Sequence, residues 1–184
     1  TVIAADIEMQ YLERAKELAA QYRNIQIAVD DITATALPVG AFDLVLCTEV
    51  IEHIANSAMA IANMRKLLKP GGLLVLSTPQ RYSPLEVAAK VAFLPGIIQV
   101  VRAIYRESII ETGHINLMTA RQVQDQLRAA GFTLAEQHKS GLYLPLLAEF
   151  GGRLGLRTAQ ALEKNLRGTR LDWLLWTQYY VAKG

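Results

Sequence analysis

The amino-acid sequence predicts an α/β fold, a parallel sheet whose strands are joined by crossover helices. Three observations carry that expectation. Short, nearly uninterrupted apolar runs recur through the first half of the chain, as strands covered on both faces require. Stretches with apolar residues at three- and four-residue steps alternate with those runs. Each run ends in a polar or acidic residue, and the connections are short.

Val2-Ile3-Ala4-Ala5 is the first strand, and Asp6 ends it. The period then becomes helical from Glu8 to about Tyr22, through Met9, Leu12, Ala15 and Ala19. Ile25 to Val29 reads as a second strand, closed by Asp30 and Asp31. The segment from Ile32 to Gly40 has room for no more than a vestigial helix. Phe42 to Cys47 is the third strand, and Thr48-Glu49 leaves it. Ser57 is the expected cap of a helix from Ala58 to Leu68, which Lys69-Pro70-Gly71-Gly72 stops before a strand from Leu73 to Ser77. Two apolar helical pieces follow, Leu85 to Phe93 and Ile97 to Ile104, hinged at Pro95-Gly96. Thr119 and Gln122 form a capping box ahead of Val123, Leu127 and Ala130, and Gly131 ends that helix. Phe132 to Gln137 and Trp176 to Ala182 are the remaining strands, with a helix from Thr158 to Leu166 between them.

Composition narrows the function. The 184 residues suit a single domain, 1–184, and at 52% hydrophobic and 20% charged they are too apolar for disorder. A net charge of +2 is too small to point to a nucleic-acid partner. Cys47 is the lone cysteine and lies inside a strand, so it reads as a small buried hydrophobe in a reducing, cytoplasmic setting. No apolar stretch is long enough to span a bilayer. Thr1 opens directly onto an apolar strand, so further chain is expected upstream of it.

In open parallel sheets ligands bind beyond the carboxyl ends of the strands, which is where the polar residues collect here. Asp6 is suited to accepting the two hydroxyls of a ribose, with the start of a helix as its alternative task. Asp30 can accept from the amino group of an adenine, and Asp31 or Ile32 can hold the ring edge; the alternative is a pair of turn acids. Ile7 and Thr48, at the same strand ends, complete the cofactor-facing set. The densest cluster is Glu49, Glu52 and His53. Two carboxylates and an imidazole can hold a divalent cation such as Mg, or His53 can move a proton without one. The bland alternative is a loop with its glutamates in solvent. His114, in Gly113-His114-Ile115-Asn116, is a second candidate catalytic residue, and His138 reads as an exposed strand-end residue.

The ordered set Val2-Ile3-Ala4-Ala5-Asp6, Asp30-Asp31, Phe42-Asp43-Leu44-Val45, Glu49-Val50-Ile51-Glu52-His53 and Leu67-Leu68-Lys69-Pro70-Gly71-Gly72-Leu73 closely resembles class I S-adenosylmethionine-dependent methyltransferases. The resemblance covers roughly residues 1 to 80. It implies a Rossmann-like, seven-stranded sheet with an antiparallel last strand inserted between its neighbours, which Tyr179 to Ala182 would supply. It also implies that the first strand and the glycine-rich loop precede Thr1. Asp6 then matches the ribose acid and Asp30 the adenine-side acid of an S-adenosyl-L-methionine site. The Glu49, Glu52, His53 arrangement resembles the ubiquinone-biosynthesis O-methyltransferases, where that cluster has been linked to a divalent metal; Gly113-His114 is similar to a histidine-bearing segment of the same relatives.

The expected function is therefore methyl transfer to a small or lipid-linked acceptor, at oxygen first, with carbon or nitrogen as alternatives. A non-catalytic module of this fold and a nicotinamide-dependent oxidoreductase are the rivals; Lys69-Pro70-Gly71-Gly72 argues against the latter. Segments 82–110 and 141–155 are expected to form a helical lid over the acceptor site, because both carry more large apolar residues than a solvent-facing insertion requires. Their alternative is packing against each other or across a homodimer interface. Arg81, Arg102, Arg106 and Arg153 could meet anionic head groups at a membrane surface.

Overall fold

The chain was analysed as a computed structural model that describes residues 1–94, 96, 99, 113–144 and 151–184. The second helical piece of the expected lid, its Pro95 hinge residue, and the apolar residues 145–150 lie outside the described residues.

Strand β1 (Val2–Asp6) pairs in parallel with β2 (Ile25–Val29) through helix α1 (Met9–Ala19), so the first crossover is as expected. Asp6 starts the helix by accepting the Glu8 N–H at 2.9 Å. The helix stops at Ala19 rather than Tyr22, because the last residues close into turns, with Tyr22 N donating to the Ala19 carbonyl. After β2 the vestigial helix is one 3-10 turn, Ile32–Ala34, capped by Asp31.

The second unit starts with β3 (Phe42–Thr48) and runs through the 3-10 turn Ile51–His53 and helix α2 (Ser57–Leu67) to β4 (Leu68–Pro79), again parallel. Two local expectations change here. The cap of α2 is Asn56, which accepts from Met59 N at 3.1 Å, while Ser57 sits buried inside the helix. Lys69-Pro70-Gly71-Gly72 does end the helix, yet it belongs to β4 instead of a loop. Gly71 N donates to the Gly184 carbonyl and Gly184 N to the Gly72 carbonyl, so these glycines extend the ladder to the last residue. A Cβ on Gly72 would stand 3.1 Å from the Lys69 carbonyl and 3.2 Å from that of Asp43, a close backbone approach that explains the glycine.

Helix α3 (Pro84–Ala92), capped by Ser83, is the described helix of the first expected lid segment. Helix α4 (Ala120–Ala129) carries the complete Thr119–Gln122 capping box. Strand β5 (Thr133–Ser140) runs past the expected Gln137, and α5 (Gly152–Leu166) begins earlier than Thr158. The last strand, β6 (Thr177–Lys183), is antiparallel and inserted between β4 and β5, as the resemblance implied.

Among the described residues there are six strands, the number the resemblance expected of this stretch, but they lie in two sheets rather than one. Strands β1 and β2 form a pair, and β3-β4-β6-β5 form a four-stranded sheet. The reason is an unpaired edge on each side, for β1 pairs only with β2 and β3 only with β4. Leu44 and Leu46, two residues apart and so on one face of β3, are 52% and 66% exposed, which leaves that face of the strand uncovered. One link between the units is Asn63 of α2, whose side-chain amide donates to the carbonyls of Ile32 and Thr33 at 2.9 and 3.0 Å.

The core lies on the face of the larger sheet that α2 and α4 cover. Ala60, Ile61 and Met64 meet Val123, Leu127 and Phe132 above Leu74, Leu76, Tyr180 and Ala182. Full burial of each large side chain contributes about 1.5–3 kcal/mol, which fixes both helices on this sheet. Cys47 joins this core, as expected, and burial first and Glu52 second push its thiol up to about 12. Among the described residues no helix is long and apolar enough to cross a membrane.

Candidate functional site

Strands β3 and β4 run parallel, so Thr48 and Pro79 end on one side, and the two groups of chemistry-bearing residues gather there. Glu49 follows β3 directly with φ +54°, the single positive φ outside glycine among the described residues. A non-glycine residue in that region costs roughly 1–2 kcal/mol. Ser77 of β4 holds it there at both ends: Glu49 N donates to the Ser77 carbonyl at 3.1 Å, and Ser77 Oγ donates to Glu49 Oε1 at 2.7 Å. This kink takes Glu49 out of the turn that follows, so Glu49 does not share a helical face with His53.

Glu52 and His53 lie in the 3-10 turn. Glu52 is fully buried, and its Oε2 accepts from Thr78 Oγ1 at 3.0 Å. Its Oε1 is buried, with no hydrogen-bond partner among the described residues. Burial raises the Glu52 carboxyl above the usual glutamate range, and the Glu49 charge adds to the rise, against the lowering effect of its hydrogen bonds and of His53. His53 Nε2 stands 3.8 Å from that free oxygen, and its ring is 45% exposed.

The loop from Gly113 to Asn116 is docked on this turn. Ile115 N and Asn116 N both donate to the Glu52 carbonyl, at 3.0 and 2.9 Å. Asn116 Nδ2 reaches the Ile54 carbonyl and Ser57 Oγ, each at 2.9 Å. His53 Nδ1 lies 3.3 Å from the Gly113 carbonyl, which can only accept, so Nδ1 carries the proton and Nε2 is left facing Glu52. His114 is thereby brought beside His53, with ring centroids 5.2 Å apart. One oxygen of Glu52 and one ring nitrogen each of His53 and His114 lie within 4.8 Å of one another.

The structure thus joins His53 and His114 and replaces Glu49 by His114 in the cluster expected from sequence. Glu86 of α3 and Trp176, just before β6, also belong to it and were not singled out. His114 Nδ1 is 3.3 Å from Glu86 Oε1, to which Trp176 Nε1 donates at 2.8 Å. In the sequence Glu86 is one charge interrupting an apolar helical run, and nothing local links residues 86, 114 and 176. His138 is exposed as expected, and it stacks on Tyr179 with centroids 5.0 Å apart.

The cofactor-side residues occupy the ends of β1 and β2. Asp6 uses Oδ1 on Glu8 N, and no described hydrogen bond engages its Oδ2. Asp30 Oδ1 accepts from Ala36 N at 2.8 Å and fixes the loop after β2. Asp31 Oδ1 accepts from both the backbone N and Oγ1 of Thr33, and the two bonds hold its carboxyl below the usual range. Both turn acids therefore carry the bland structural task that the sequence allowed. Ile7 and Thr48 are exposed and Ile32 is half-buried.

A family model for the methyltransferase domain matches residues 2–137. A probable S-adenosylmethionine-dependent methyltransferase of Mycolicibacterium smegmatis is 28% identical over 139 residues, covering 73% of this chain and 47% of that protein. The ubiquinone biosynthesis O-methyltransferase of Cereibacter sphaeroides is 40% identical over 82 residues, 44% of this chain and 33% of that protein. The chain thus spans less than half the length of these two relatives. A solved S-adenosylmethionine-dependent methyltransferase of Thermotoga maritima has a TM-score of 0.66 at 14% identity, covering 97% of this chain and 71% of that one, which supports the fold. The family match spans most of the chain and includes the ends of β1, β2 and β3 with their acids and the end of β4, so the chain belongs to the S-adenosylmethionine-dependent methyltransferases.

Proposed function

We propose that the protein methylates an oxygen of a small or lipid-linked acceptor. The observation that carries this reading is the convergence of Glu52, His53 and His114 at the carboxyl end of β3, where the family match leaves the acceptor atom open. A hydroxyl acceptor has a proton to lose, and an imidazole with a free nitrogen suits its removal. The cofactor would supply the methyl group from its sulfonium, whose sulfur would keep the C–S electron pair as the O–CH3 bond forms. The hydroxyl proton passes to His53 Nε2. The chain's own work is alignment of the oxygen with the methyl carbon and acceptance of that proton. The shared stretch with an O-methyltransferase supports oxygen over carbon or nitrogen.

On the cofactor side, Asp6 binds the ribose hydroxyls with Oδ2, Asp30, Asp31 and Ile32 border the adenine, and Ile7 and Thr48 flank them. The unpaired edges of β1 and β3, together with the exposed Leu44 and Leu46 of β3, support a further strand and covering helix in the intact protein, which would complete a seven-stranded sheet. The apolar segments 82–110 and 141–155 cover the acceptor in this reading. Contact with an anionic membrane surface is a consequence that vesicle flotation checks.

The test uses the intact protein. Asp6→Ala weakens S-adenosylmethionine binding by roughly 10- to 100-fold in a calorimetric titration, the loss of one or two charged hydrogen bonds. Methyl-labelled S-adenosylmethionine supplied with a panel of phenols and quinols yields O-methyl signals by NMR, and His53→Ala lowers the rate by about 100-fold. N- or C-methyl products instead would overturn the oxygen assignment.

A second reading has one observation in its favour. The partnerless, buried Oε1 of Glu52 is a site a divalent cation would satisfy, with His53 and His114 as the other ligands and Lewis acidity toward a hydroxyl as its chemistry. The donor set fits such an ion without Glu49. Cobalt(II) titration separates this set from the one expected by sequence: binding lost in Glu52→Gln and kept in Glu49→Gln supports it.

A further inference from the structure

The buried carboxylate of Glu86 has a task that neither the fold nor the methyl-transfer reading assigns. Its side chain is 8% exposed, and a buried carboxylate is costly unless hydrogen bonds satisfy it. Its backbone is pinned by the helix cap, Glu86 N donating to Ser83 Oγ at 3.3 Å. Its head is pinned by Trp176, whose indole N–H can only donate and reaches Oε1 at 2.8 Å. Trp176 is itself fixed at both backbone groups, donating from N to the Gly141 carbonyl at 2.9 Å and accepting from Gln80 N at 2.7 Å. The carboxylate is thus held rigidly from two elements far apart in sequence, and what it faces is His114.

His114 Nδ1 lies 3.3 Å from Oε1 and 3.5 Å from Oε2 of Glu86. An ionised carboxylate only accepts, so this nitrogen bears the proton and the other is left as the lone-pair nitrogen. Among the described residues, the groups around the ring are Glu86 from α3, Glu52 and His53 from the 3-10 turn, and the neutral indole of Trp176. Unlike His53, whose ring is 45% exposed, His114 is 10% exposed and has a carboxylate behind it.

We propose that Glu86, locked by Trp176, is a positioning residue that holds His114 as its Nδ1–H tautomer and so presents Nε2 to the acceptor pocket. The pocket assignment rests on the methyl-transfer reading, whereas the tautomer does not. The bland alternative is that Glu86 and Trp176 merely pack α3 onto the approach to β6. In that case the ring's tautomer is indifferent to Glu86.

The experiment is long-range 1H–15N NMR of the imidazoles in the intact protein at about pH 9, where histidine is neutral. The chain has three histidines, so His53→Gln and His138→Gln assign the spectrum. The expected result is His114 with its proton on Nδ1 in the wild type, shifted to Nε2 in Glu86→Ala. Glu86→Gln retains Nδ1–H, since one amide oxygen can accept from both Trp176 and His114. An Nε2–H wild-type ring overturns the proposal, as does a folded Glu86→Ala with the tautomer unchanged. If Glu86→Ala does not fold, Glu86→Leu takes its place, a residue of similar size that cannot accept a hydrogen bond: a switch of His114 to Nε2–H supports the proposal and an unchanged Nδ1–H overturns it. S-adenosylmethionine titration of the same samples separates the two readings: loss of cofactor binding by the wild type refutes methyl transfer and leaves the tautomer result standing.

Discussion

At the residue scale the site is organised around Glu52, a buried carboxylate with one oxygen satisfied by Thr78 and the other without a hydrogen-bond partner among the described residues. Its raised carboxyl favours the protonated form in the folded state. A group of this kind contributes most to stability below the ordinary glutamate range, and that contribution is lost as pH rises through its raised value. Glu52→Gln should therefore be more stable than the wild type by about 1–3 kcal/mol at neutral pH, the penalty of an unsatisfied buried group. Urea unfolding checks it, with the difference shrinking at about pH 4. The same variant should lose methyl transfer, so stability and activity move in opposite directions. The sequence showed that glutamates and a histidine cluster here, but not that Glu49 would be turned away. That depends on Ser77, a residue of the neighbouring strand.

At the element scale, caps show how far local pattern reaches. The Thr119–Gln122 box was legible because both partners lie three residues apart, within one turn. The cap of α2 was displaced by one residue, since Ser57 is employed elsewhere: its Oγ donates to Gln126 Oε1 at 2.9 Å and accepts from Asn116 Nδ2. That bond partly anchors the Gly113–Asn116 loop. Asn56→Ala should cost about 1 kcal/mol, an ordinary cap. Ser57→Ala removes a buried hydroxyl and should cost about 1–3 kcal/mol. Urea melts rank the two, and the His114 imidazole resonances should shift in Ser57→Ala alone. Equal costs without a shift would mean that Ser57 does not hold the loop.

At the scale of the whole molecule, each of the two sheets has an unpaired edge among the described residues, at β1 and at β3, and β3 exposes Leu44 and Leu46. A parallel sheet of this class is normally covered on both faces. If a further strand and its flanking helix occupy that space in the intact protein, Leu46→Ala should cost about 2–5 kcal/mol, as in a core. If the side chain stays as exposed as it is here, the cost should be within about 0.5 kcal/mol. Chemical denaturation of the intact protein decides between these values.

The sequence by itself determined the two parallel strand pairs with their crossover helices, most helix starts, the buried cysteine and the acids at strand ends. These depend on periodicity and on residues within one or two turns of each other, so hydrophobic pattern and cap chemistry report them directly. Only the tertiary structure decided which donors and acceptors meet. The insertion of β6 between β4 and β5 carries Trp176 to Glu86, and the Gly113–Asn116 loop carries His114 to Glu52 across more than sixty residues. Such pairings arise when the sheet and α2 are packed, because each buried polar group then takes whatever partner the fold brings within hydrogen-bond reach.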